Sequence, residues 1–96
     1  MDEKIKKIRE VFNDLFERSI YERSYIESLD QDPLVISANE EGFLYLIDIM
    51  IGLCEKKIQY AHFHFDEAGM LDKCEKEFII RYLKTPWHAE SAKTQE

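Results

Sequence analysis

Two imidazoles and a carboxylate recur at alternate positions in Ala61-His62-Phe63-His64-Phe65-Asp66. In an extended strand successive side chains leave opposite faces, so Ala61, Phe63 and Phe65 share one side while His62, His64 and Asp66 share the other. A greasy face is thus set against a polar row. Imidazole and carboxylate together suit zinc or ferrous iron, which makes a small metal-binding protein one reading of the row. The spacing opposes it. Side chains at i, i+2 and i+4 span roughly 13 Å at about 3.3 Å per residue, too far to close on one ion without a bend or outside help, for instance from His88. The preferred reading is a polar row turned toward a partner protein, with no metal ligand and no cofactor assigned.

Nothing else in the chain completes a catalytic set. A nucleophilic enzyme needs Ser or Cys beside an oriented histidine, and Ser37, Ser91 and Cys74 sit in no recognised nucleophile context. The three glycines, at 42, 52 and 69, make no phosphate-binding spacing. Glu40-Glu41 and Asp66-Glu67 read as solvated charges rather than an acid and base couple. The expectation is therefore a binding protein and not an enzyme. Tyr60, Arg81 and Trp87 flank the histidine row as further contact candidates, being of the types enriched at interface hot spots.

Composition sets the class of partner. With 13 Lys plus Arg against 20 Asp plus Glu, the net charge is −7, which opposes nonspecific binding to nucleic acid or anionic membrane and favours a basic protein. Ninety-six residues, 45% of them hydrophobic, suit one small domain whose limited burial is compatible with a homodimer. Cys54 and Cys74 form no disulfide framework or zinc motif. The amino terminus lacks the apolar core of a secretion signal, and the longest apolar stretch, interrupted by Asp48, is too short to cross a bilayer. A cytoplasmic location is expected.

The elements that must position the row follow from periodicity. Ile5, Ile8, Phe12 and Leu15, widened by Val11 and Phe16, predict an amphipathic helix from about Asp2 to Arg18. Tyr21, Tyr25 and Leu29 favour continued helix until Asp30-Gln31-Asp32-Pro33 ends it. Leu34 to Ala38 reads as a strand. Asn39 then caps a long core helix carrying Phe43, Leu44, Leu46, Ile47, Met50, Ile51 and Cys54, with Glu40 and Glu41 in its first turn and Lys56 and Lys57 at its end. Gly42, costly in a helix, implies close approach to a neighbouring strand. After the histidine strand, a charged connection from Glu67 to Glu75 leads to a strand over Phe78 to Leu83, pairing with it as an antiparallel hairpin. The whole is a single α+β domain over residues 1–88: an N-terminal helix, then β-α-β-β with a small three-stranded sheet packed on the long core helix. Residues 89–96 are expected to form a disordered tail.

The order of Asn39-Glu40-Glu41-Gly42-Phe43-Leu44-Tyr45-Leu46, then His62-Phe63-His64-Phe65-Asp66, then Glu77-Phe78-Ile79-Ile80 resembles immunity protein family thirty-two of bacterial polymorphic toxin systems. The resemblance covers about Leu34 to Leu83 and leaves Met1 to Asp32 unmatched. It implies a cytoplasmic, non-catalytic protein that binds and neutralises a cognate toxin, here a basic one. The unmatched N-terminal region also admits a phage anti-defence inhibitor of a host protein.

Overall fold

The computed structural model describes residues 2–15 and 18–84. Its elements are α1 (Asp2–Leu15), α2 (Arg18–Arg23), β1 (Ile26–Leu29), β2 (Val35–Ala38), α3 (Glu40–Lys56), β3 (His62–Phe65), β4 (Lys73–Cys74) and β5 (Phe78–Arg81). The α+β class, the N-terminal helix and the long central helix match expectation. The strands differ in number and grouping. In place of one sheet built from three strands, a three-stranded sheet in the order β2-β1-β4 stands beside a two-stranded β3-β5 sheet.

The extra strand β1 lies where continued helix was expected. The helix stops at Arg23, and Ser24 Oγ donates to the Tyr21 carbonyl at 3.0 Å, a local bond of the kind that competes with helical pairing. From there Ile26 and Ser28 point inward and are fully buried. One of the two inward positions is a serine, so the alternation carries no hydrophobic signal. Ser28 is satisfied instead by the connection: its Oγ donates to the Lys76 carbonyl at 2.6 Å and accepts from the Lys76 amide at 3.3 Å. Asp72 closes a second clasp, its carboxylate accepting from the Ile26 amide and its own amide donating to the Ile26 carbonyl. What the sequence presents as a charged loop is therefore a strap, and its Lys73–Cys74 segment runs parallel to β1.

Helix α3 begins on a cap that also joins the sheet. Asn39 Oδ1 accepts from the amides of Gly42 at 2.7 Å and Tyr25 at 2.9 Å, while its Nδ2 donates to the Arg23 carbonyl at 2.8 Å. Gly42 is required by proximity, since a Cβ there would lie 2.4 Å from the Tyr25 carbonyl oxygen. The helix ends where Lys57 turns left-handed and returns its amide to Leu53. Between helix and sheets, Ile26, Leu46, Phe65 and Leu71 form the buried core. Phe65 is fully buried and stacks on Phe78 with ring centroids 4.6 Å apart, a placement that stabilises by about 1.5–3 kcal/mol relative to exposure.

Helix α1 lies antiparallel to α3. Asp2 bonds Lys57 at one end, and Arg9 reaches Asp48 at 2.6 Å and Glu55 at 3.1 Å farther along. Those bonds, to Glu55 first and then Asp48, hold the Arg9 guanidinium more firmly charged than usual. The apolar stripe of α1 is only partly used: Ile5 and Phe12 are half-buried, whereas Ile8 and Val11 face solvent. Cys54 and Cys74 are both free and half-buried. Among the described residues no helix is long and apolar enough to cross a membrane.

Candidate functional site

The histidine strand is presented by the chain reversal that follows α3. Tyr60 takes a left-handed conformation (φ 68°), uncommon for a residue with a bulky side chain, and is held there by backbone bonds on either side. Its amide donates to the Tyr82 carbonyl at 2.9 Å, and the Tyr82 amide donates back to the Ala61 carbonyl at 2.8 Å. These two bonds set the register of the hairpin. His62 then faces Arg81, Phe63 faces Ile80, His64 faces Ile79 and Phe65 faces Phe78.

Because opposed residues of an antiparallel pair share a face, the register sorts the strands into an inner and an outer surface. Phe63, Phe65, Phe78 and Ile80 turn to the core. His62, His64, Ile79 and Arg81 are all exposed. The two imidazoles meet edge to face with centroids 5.9 Å apart, and the Arg81 guanidinium lies 5.7 Å from the Tyr60 ring centroid. His62 Nδ1 is 3.1 Å from the Tyr60 carbonyl. A carbonyl only accepts, so this contact assigns a proton to Nδ1.

Four of the six residues singled out in the sequence are thus gathered into one outward patch: Tyr60, His62, His64 and Arg81. Asp66 lies one residue beyond the strand, in the turn where its carbonyl accepts from the Gly69 amide, with its carboxylate beside Gly69. Trp87 lies outside the described residues. Ile79 is the member that sequence reasoning missed. It sits in the run Phe78-Ile79-Ile80, where every residue looks like core, and only its pairing opposite His64 reveals that it is turned out. Among the described residues no three His, Cys, Asp or Glu side chains converge in a way that could hold a metal ion. The patch sets an aromatic ring, two imidazoles, a branched aliphatic group and a guanidinium side by side on the outer face of the hairpin.

A family model described as immunity protein 32 matches residues 33–82, just over half of the chain. The chain belongs to the immunity protein 32 family. No curated protein and no solved structure matches it. The family span runs from the proline before β2 to the end of the hairpin, so it holds α3 and the whole Tyr60–Arg81 patch. Helices α1 and α2 and strand β1 fall outside it. Yet β1 is the middle strand of its sheet and supplies Ile26 to the core, so the family segment here is completed by chain that precedes it.

Proposed function

We propose that this protein neutralises a cognate bacterial toxin by forming a stoichiometric complex with it, through the outer face of the β3-β5 hairpin, without catalysing any reaction. The observation that carries this reading is the coincidence of the family span with a patch whose residues are exposed although none of them is needed to close the core. Tyrosine and arginine are frequent anchors of protein interfaces, and here the Tyr60 ring and Arg81 guanidinium already lie together, so less ordering is left for binding to impose.

The net charge of −7 favours a basic toxin, with the long-range field raising the encounter rate and the patch setting the lifetime of the complex. Arg81 would then meet a carboxylate on the toxin rather than its basic residues. The cytoplasm, where a toxin acting on the cell's own interior must be intercepted, is the location this role requires.

The test is coexpression with a candidate cognate toxin against which the native chain protects, comparing the native chain with a His62→Ala, Arg81→Ala double variant. Both side chains point outward, so the variant should unfold within about 0.5 kcal/mol of the native protein. Its affinity for the toxin should fall by about thirtyfold, the loss of a hot spot of about 2 kcal/mol, and protection should weaken accordingly. Undiminished affinity in a folded double variant contradicts the assignment of this face.

A further inference from the structure

We propose that the toxin lays an extended segment of its own along the free edge of β3, so that the two-stranded β3-β5 sheet gains a third strand in the complex. This deepens the toxin reading and rests on it. The edge is fixed by the backbone ladder. In an antiparallel pair, residues exchange both backbone bonds at every second position and turn the groups between them outward. The Tyr82 amide donates to the Ala61 carbonyl, so the bonded pairs that follow in register are Phe63 with Ile80 and Phe65 with Phe78. The amides and carbonyls of His62 and His64 therefore point away from β5, along the outer edge of β3, while those of Ile79 and Arg81 point away from β3. Among the described residues no strand lies beyond β3, and no hydrogen bond reaches the backbone of His62 or His64.

An open row of donors and acceptors at strand spacing is matched by another extended backbone, and edges not put to that use are commonly blunted by lysine or proline. His62 to Phe65 carry neither. The same two histidines bring their imidazoles to the outward patch, so a segment laid along β3 bonds the backbone from the side while the rest of the toxin covers Tyr60 and Arg81 from above. Charge selects the toxin over a second copy as the strand donor. Two chains of net charge −7 repel each other, whereas a basic partner is attracted. Asp66 and Glu67 follow β3 directly and Glu77 precedes β5, which makes the loop end of the hairpin acidic. The incoming strand is thereby defined by its chemistry: Lys or Arg beside Asp66 and Glu67, apolar side chains on the side of Phe63 and Phe65, and polar ones on the side of the imidazoles.

Residue-resolved amide hydrogen exchange tests it, on the protein alone and bound to a toxin against which it protects. In the free protein the amides of His62 and His64 should exchange faster than those of Phe63 and Phe65, which bond across to β5. Bound toxin should slow His62 and His64 by about tenfold or more, and by more than it slows Ile79 and Arg81 on the opposite edge. Proline supplies a second arm. At position 64 it removes an outward amide and no ladder bond, so His64→Pro should keep the native circular dichroism yet bind about tenfold more weakly than His64→Ala, which loses the same imidazole. Bound toxin that leaves the His62 and His64 amides at their free rates overturns the proposal while the patch reading stands, as do equal affinities of folded His64→Pro and His64→Ala. Should His64→Pro not fold, the exchange pattern alone decides. If the His62→Ala, Arg81→Ala variant binds undiminished and the edge amides stay unprotected, both readings fall.

Discussion

Single residues in this protein do their work through the partner each one finds. Tyr21 joins α2 to α3 through a 2.8 Å bond from its hydroxyl to Asp48, and its phenol is pushed up to about 12, by burial first and by the Asp48 bond and charge next. A pKa raised above the unfolded value of about 10 means that the neutral phenol contributes stability fully below pH 10. That contribution should be lost as pH climbs from about 10 through about 12. Urea unfolding across this interval should therefore show a steeper alkaline decline for the native protein than for Tyr21→Phe, and parallel declines would refute the coupling. The histidines belong to this scale too. Their outward placement was legible, because Phe63 and Phe65 alternate with them and only one face can be buried. Asp66 was not, since the strand ends one residue short of it and a turn takes over.

Elements were legible wherever the buried face was written in hydrophobic residues. Helix α3, its Asn39 cap and the β3-β5 hairpin follow directly from periodicity and end signals, and Gly42 announced the close approach that the Tyr25 carbonyl makes. Strand β1 was hidden because its inward residue Ser28 is polar, and strand β4 because two residues in a charged segment carry no period at all. Their pairing is decided by Ser28, Asp72 and the backbone of the strap, contacts between positions more than forty residues apart. The two glycines of α3 allow a paired test of the element account. Gly42→Ala should destabilise by about 1–3 kcal/mol, because the added methyl meets a backbone oxygen that cannot move without shifting β1. Gly52, with nothing within 4 Å of a built Cβ, should when changed to alanine stabilise the protein by about 0.5–1 kcal/mol. Chemical denaturation of both variants checks the signs, and equal signs would contradict the packing described.

For the whole molecule, the separation of faces is the organising fact. One sheet and its strap complete the core, the other sheet turns a mixed aromatic and cationic surface outward, and the α1-α3 pair leaves an apolar side of its own. The sequence alone placed Ile8, Val11 and Ile47 in core stripes, because amphipathicity reports that a face seeks cover without saying whether the cover comes from the same chain. Within this arrangement the central claim is that the toxin is held by the outer face of β3-β5. Hydrogen exchange of the protein, alone and saturated with its toxin, addresses that claim most directly. Slowed exchange concentrated in residues 59–65 and 78–82, with α2 and β2 unchanged, is the result expected. Protection confined to α1 and α3, or to the β2 edge, would contradict it.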